Sequence, residues 1–182
     1  MLVGLRRAGA DPTLITDPAA VRAADRVVLP GVGALAAAME SLGPSGLGQA
    51  VAERVAAGRP TLTVCLGLQL LLDGSAESPG VSALGCVPGH ATRFQGDGLR
   101  VPHLGWNKVQ PAAGAKLLTE GYAYFAHSYK LDQAPAGWTP AWTTHGQPFV
   151  AAMERGPVVA CQFHPELSGA WGLGLLTRWL EA

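Results

Sequence analysis

An excess of charge of either sign is missing from this sequence: thirteen basic residues face thirteen acidic ones, and the isoelectric point is about 7.0. A surface built for nucleic acid or an anionic membrane would carry a basic surplus, so both partners are excluded. Also missing is any apolar run near the roughly 18 residues that a membrane-spanning helix needs, although the mean hydropathy is positive, +0.21. Cysteine is scarce. Cys65, Cys86 and Cys161 are odd in number and lie far apart, which argues against a disulfide framework and points to a reducing cytoplasm. The opening Met-Leu-Val-Gly-Leu-Arg-Arg lacks the n-region, h-region and cleavage site of a signal peptide. Histidines 90, 103, 127, 145 and 164 show no ligand spacing, so no metal or cofactor is expected. Repeats and low-complexity linkers are absent too. What remains, 182 residues that are 48% hydrophobic and 14% charged, is expected to form one domain over 1–182 with a packed core.

Strand and helix signals alternate through the first half. Leu2 to Ala8 reads as the tail of a helix stopped by Gly9. Thr13 to Thr16 reads as a short β-branched strand, and Asp17 as the cap of a helix carrying Pro18 in its first turn. Arg26 to Leu29 is an apolar strand broken by Pro30-Gly31-Val32-Gly33, and helices are expected over about 34–42 and 46–57. Thr61 to Val64 reads as a buried strand that runs straight into an apolar helix, Leu66 to Leu72. Such alternation predicts an α/β fold with a mostly parallel central sheet flanked by helices. The second half is richer in short β segments, near 84–94, 100–109, 122–130, 138–144, 148–154 and 157–163, which predict added antiparallel strands. A last helix is expected over about 170–181.

Three places carry chemistry. In Thr61-Leu-Thr-Val-Cys65-Leu-Gly67-Leu-Gln69 a buried strand ends at a cysteine and a helix begins at once. A nucleophile elbow has this strand–turn–helix context, and the helix N-terminus favours a thiolate and offers N–H groups to an oxyanion. Taken alone, Cys65 reads more readily as a small buried hydrophobe, as free cysteines usually are. In Cys161-Gln-Phe-His164-Pro165-Glu166, Pro165 favours an extended His164. Residues two apart on an extended chain share a face, so Glu166 can orient His164 toward a thiol. A lone strand-end histidine is more often structural, and the neighbouring carboxylate weighs against that here. Pro30-Gly31-Val32-Gly33 follows a strand and exposes N–H groups at the carboxyl edge of a parallel sheet, where ligands collect; a plain turn is its alternative.

Taken together, these residues resemble the triad glutamine amidotransferases of class I, with a flavodoxin-like fold. Val64-Cys65-Leu66-Gly67-Leu68-Gln69 and Phe163-His164-Pro165-Glu166 are similar to that family's two marks, in order and spacing. Pro30-Gly-Val-Gly33, Val101-Pro-His-Leu-Gly-Trp106-Asn107 and Tyr124-Phe-Ala-His127-Ser128-Tyr129 are most similar to the branch formed by the glutaminase subunits of imidazole glycerol phosphate synthases, across residues 1–182. The resemblance implies a glutaminase of histidine biosynthesis with Cys65 as nucleophile, His164 as proton shuttle and Glu166 as its orienter. It implies an oxyanion site at Leu66 and at Val32 or Gly33, and glutamine held by Gln69, Ser128 and Tyr129. It also implies ammonia transfer to a (β/α)8-barrel cyclase subunit near Trp106 and Asn107, with no cofactor.

The sequence departs from the family's pattern in three places. Thr63 stands where the family has glycine two residues before the nucleophile, which crowds the elbow. Leu167 stands where the family often has a lysine facing the cyclase. Met1 falls inside the family's first helix, without the strand and Asp-Tyr-Gly-x-Gly-Asn turn that precede it. The expectation is an unpaired strand edge and uncovered apolar surface, from a start placed downstream or from a truncation. Two other functions are weighed: the glutaminase of an anthranilate or aminodeoxychorismate synthase, which Val32 and Leu104-Gly-Trp-Asn107 disfavour, and a non-catalytic relative, which the intact Cys65, His164 and Glu166 disfavour.

Overall fold

The computed structural model describes residues 1–182. The first half alternates as its sequence predicts: α1 (Leu2–Arg7), α2 (Pro18–Ala23), β1 (Val27–Gly31), α3 (Leu35–Ser45), α4 (Leu47–Ala56), β2 (Thr61–Cys65) and α5 (Leu66–Leu70). Asp17 caps α2 through its carboxylate, which accepts from the N–H groups of Ala19 and Ala20, both at 3.1 Å. The strand expected over Thr13–Thr16 does not form: those residues are irregular. β-branched side chains favour a strand only where a neighbour completes the ladder, and none pairs with this segment. Helix α3 runs on through Pro44 and stops at Gly46, whose φ of 74° belongs to glycine.

The second half supplies β3 (Gly74–Ser75), β4 (His90–Arg93), β5 (His103–Pro111), β6 (Gly121–His127), β7 (Tyr129–Lys130), β8 (Thr139–His145), β9 (Gln147–Arg155), β10 (Val158–Cys161) and α6 (Gly169–Glu181). The strand expected over 84–94 shrinks to its last residues, the earlier ones being irregular. The main sheet runs β1-β2-β10-β9-β8-β5-β6. Its β1-β2-β10 portion is parallel, and β9, β8, β5 and β6 extend it as antiparallel strands. A smaller sheet joins β3, β4 and β7.

All five residues of β2 are buried, as the middle of a helix-covered parallel sheet requires. Alternate residues of β10 enter opposite cores. Val159 and Cys161 pack with Leu62, Phe125 and Trp179, while Val158 and Ala160 pack with Val51, Leu71 and Met153. Arg54 of α4 is buried, and its guanidinium donates to the carbonyls of Val21, Ala24, Asp25 and Pro60, fastening the end of α2 and the approach to β2. β1 is one of the sheet's two edge strands. Leu5, Ile15, Val28 and Trp179 are among the residues lining a cavity of about 840 Å³ against it. No helix is long and apolar enough to cross a membrane.

Candidate active site

The carboxyl ends of β1, β2 and β10 lie side by side, the place where parallel sheets collect ligands. Cys65 closes β2 with φ 56° and ψ −112°, and no other non-glycine residue has a positive φ. Such a backbone costs about 1–3 kcal/mol and persists where the surroundings impose it. They do so here by close approach. A Cβ on Gly67 would overlap the Leu29 carbonyl oxygen, and one on Gly31 would lie 2.9 Å from the Gly67 nitrogen. Helix α5 therefore starts at Leu66 directly against β1.

Thr63 brings the expected crowding. It is fully buried, a Cβ on Gly67 would come within 3.3 Å of its Cβ, and its hydroxyl has no hydrogen-bond partner. Thr63→Val, which puts a methyl group in place of that unpartnered hydroxyl, is expected to stabilise the fold by about 1 kcal/mol, a rise of about 2–4 °C in the thermal midpoint. A lower midpoint would show that the hydroxyl is solvated or bonded.

His164 lies three residues beyond β10. Its N–H donates to the Tyr124 carbonyl at 2.9 Å, and its own carbonyl accepts from the Ser168 hydroxyl at 2.6 Å. The Ser168 hydroxyl oxygen in turn accepts from the Tyr124 N–H at 2.9 Å, so β6 and the start of α6 clamp the histidine. His164 is extended, at φ −101° and ψ 96°, as Pro165 predicts, but Pro165–Leu167 then form a 3-10 turn. Glu166 thus reaches His164 Nδ1, at 3.2 Å, across a turn instead of along a strand face. The tight chain after proline brings the carboxylate back beneath the ring.

The Cys65 sulfur and then the Glu166 carboxylate raise the His164 pKa to about 9, against burial. For Glu166, burial pushes upward, but the hydrogen bond from His164 and nearby positive charge outweigh it and hold the carboxyl below its ordinary value. The other two thiols have no such partner. Burial pushes Cys86 up to about 11 and Cys161 higher still. A thiol, an imidazole and a carboxylate disposed in this way could serve as nucleophile, base and orienter in covalent acyl transfer.

Cys65 and His164 open onto a cavity of about 470 Å³, whose walls also include Val32, Gly33, Leu66, Gln69, Ser128 and Tyr129. That volume suits a small molecule. Its rim is apolar: Val32 is 82% exposed, Leu104 65% and Leu167 54%.

The pattern defining the family Glutamine amidotransferase class-I matches residues 6–174. This chain belongs to the class-I glutamine amidotransferases. The imidazole glycerol phosphate synthase subunit HisH of Synechococcus sp. (strain JA-2-3B'a(2-13)) is 44% identical over 98% of this chain and 84% of that protein. The subunit HisH of Streptococcus gordonii is 42% identical over 100% of this chain and 89% of its own length. A glutamine amidotransferase crystal structure shares the fold at a TM-score of 0.77 and 19% identity, over 99% of this chain and 90% of that one.

Every residue singled out in the amidotransferase sequence for catalysis or glutamine binding lines this cavity, save Glu166, which stands behind His164. Trp106 and Asn107 do not. Trp106 is 56% exposed, whereas Asn107 turns its amide inward, donating to the Thr144 carbonyl at 2.8 Å. Gln69 spends its Nε2 on the Gln162 Oε1, at 3.1 Å, and the Tyr129 carbonyl, at 3.3 Å.

Two residues of the site were missed in the sequence. Gln162 is fully buried and donates to the Cys65 sulfur at 3.8 Å; it is invisible as a ligand until β10 is set beside β2. Glu77 lines the cavity and accepts from the Leu35 N–H at 2.9 Å, a contact across 42 residues of chain. Its signal is slight, a single carboxylate in a polar loop.

Proposed function

We propose that this amidotransferase is the glutaminase subunit of an imidazole glycerol phosphate synthase, hydrolysing glutamine and passing the ammonia to a cyclase subunit in histidine biosynthesis. The observation that carries the chemistry is His164, placed between the Cys65 thiol and the Glu166 carboxylate at the wall of a small cavity. Cys65 passes its thiol proton to His164 and attacks the amide carbon of glutamine, and the developing oxyanion is met by the Leu66 N–H and by a peptide N–H at Val32 or Gly33. His164 protonates the departing nitrogen, which leaves as ammonia, and a glutamyl thioester remains. His164 then takes a proton from water, which attacks the thioester, releasing glutamate and restoring the thiol. Near full-length identity above 40% to two HisH subunits supports the choice of branch within the family.

The substrate is a zwitterion, so its site needs both signs of recognition. Glu77 offers the α-ammonium group a carboxylate, and the backbone of Ser128 and Tyr129, with Gln69, holds the remainder of the head. Glu77→Gln is expected to raise the KM for glutamine about tenfold with a smaller change in kcat, because it removes binding common to ground and transition states. An unchanged KM would remove Glu77 from the binding site.

The apolar rim of Val32, Leu104 and Leu167, with the exposed Trp106 on β5, supports docking of a (β/α)8-barrel partner over the cavity mouth, as one half of a heterodimer. A covered mouth would keep ammonia from water. A reducing cytoplasm suits a free catalytic thiol. The test is the glutaminase rate of this chain alone and with a barrel cyclase bearing its ligand. Strong stimulation is expected. Stimulation by a chorismate-using synthase in place of the cyclase would overturn the assignment.

A further inference from the structure

His127 lines the cavity, and behind it His103 and His145 join it around Phe94, Phe125 and Phe149, a cluster the reaction above does not use. No group of three His, Cys, Asp or Glu side chains is disposed to hold a metal ion. The ring nitrogens of His103 and His127 are engaged with each other and with neighbours. His127 Nδ1 lies 2.8 Å from the Tyr129 carbonyl oxygen, and His127 Nε2 lies 3.2 Å from His103 Nδ1. His103 Nε2 lies 3.3 Å from Asn107 Nδ2.

The proton positions along this line follow by elimination. A carbonyl oxygen only accepts, so His127 Nδ1 carries the hydrogen. In a neutral ring Nε2 then accepts, and His103 Nδ1 must donate to it. The His103 Nε2 is left as an acceptor for the Asn107 amide. Asn107 cannot be turned round, because its Oδ1 accepts from the Lys108 N–H at 2.8 Å while Nδ2 donates to the Thr144 carbonyl. Every bond therefore points the same way, from β5 toward the cavity. Burial supports the neutral forms, lowering the His103 pKa to about 4 and the His127 pKa to about 3.

The line does not end at Tyr129. The same carbonyl accepts from Gln69, Gln69 donates to Gln162, and Gln162 donates to the Cys65 sulfur. We propose that His127 and His103 are positioning residues: as a pair of neutral, Nδ1-protonated imidazoles anchored by Asn107, they fix the Tyr129 carbonyl and, through Gln69 and Gln162, the glutamine site beside Cys65. A break in the line leaves His127 Nε2 without its donor. His127 is then free to shift its hydrogen to Nε2, which turns a lone pair on Nδ1 against the Tyr129 oxygen.

The test has a spectroscopic and a kinetic arm, and the kinetic arm alone rests on the glutaminase reading. In the full chain, long-range ¹H–¹⁵N correlation is expected to show His103 and His127 both as Nδ1–H tautomers, the rarer form in solution, unprotonated at pH 6. His103→Phe keeps a ring between Phe125, at 4.7 Å, and His145, at 4.2 Å, but removes the donor. It is expected to make His127 a mixture of tautomers and to raise the KM for glutamine about tenfold, with kcat within about threefold. His103→Asn, whose amide N–H can stand in for Nδ1–H, is expected to restore both readouts toward the wild type. An Nε2–H tautomer at either histidine overturns the proposal whatever the activity. So does a His103→Phe protein that folds and binds glutamine as the wild type does. Absence of glutamine hydrolysis by the wild type would overturn the proposed function, while the tautomers still decide the relay.

Discussion

Cys65→Ala is expected to lower glutamine hydrolysis by about 10⁴-fold or more, the scale on which removal of a covalent nucleophile acts. The size of the loss follows from the site's division of labour. In the proposed mechanism the N–H groups of Leu66 and of Val32 or Gly33 receive the oxyanion, but without the sulfur no tetrahedral adduct forms for them to stabilise. His164 and Glu166 would retain their clamp through Tyr124 and Ser168, so the fold is expected to survive the change. The backbone at 65, held at φ 56°, carries the same strain with either side chain. Steady-state ammonia release, with a thermal melt beside it, checks both statements. A Cys65→Ala protein retaining more than about a tenth of the wild-type rate would remove the nucleophile from the scheme.

Titration of His164 is the second large effect. Its folded-state pKa is raised to about 9 from an ordinary value of 6.5, the Cys65 sulfur contributing most and Glu166 next. A raised pKa stabilises the folded state fully below 6.5, and that stability is lost as pH rises through about 9. Two neighbours act in the opposite sense. His103 and His127 remain neutral down to about 4 and about 3, so they withdraw stability as pH falls below 6.5. Glu166, lowered from 4.5, likewise contributes above that value and loses its contribution as pH falls through its folded pKa. From 6.5 upward the fall in thermal midpoint therefore reports His164, until Cys86 and Cys161, raised from 9.0 by burial, add to it as pH nears 9. In Cys65→Ala that fall should flatten, and the His164 imidazole signal should titrate nearer 6.5. Hydrolysis by the wild type should decline above about 9, where the imidazolium needed to protonate the leaving nitrogen is lost. Identical His164 titration with and without the sulfur would contradict the pairing.

Legibility followed sequence distance and backbone geometry. The elbow could be read because strand, cysteine and helix are contiguous, and the reason for Gly67 is a contact with Leu29 that a β1-β2 pair makes unavoidable. Glu166 was found for a partly wrong reason: the expected extended chain is a 3-10 turn, yet a carboxylate two residues after His164 still reaches its Nδ1. What escaped was built from distant pieces. Gln69 and Gln162 stand 93 residues apart, and Leu35 and Glu77 stand 42 apart. No local periodicity marks such pairs before the sheet order is known. The strand expected at Thr13–Thr16 failed on the same ground, since a strand is a property of its neighbour as much as of its own residues. The departures at Thr63 and Leu167 became physical: one is an unpartnered buried hydroxyl, the other an exposed apolar side chain at the cavity rim.

Covalent trapping tests the central claim most directly. A glutamine analogue bearing an electrophilic ketone in place of the amide is incubated with the protein, and the product is digested and weighed. The account predicts one adduct per chain, on Cys65, competed away by glutamine and missing from Cys65→Ala, with Cys86 and Cys161 unmodified. An adduct on another cysteine, or none on a folded protein, would contradict it.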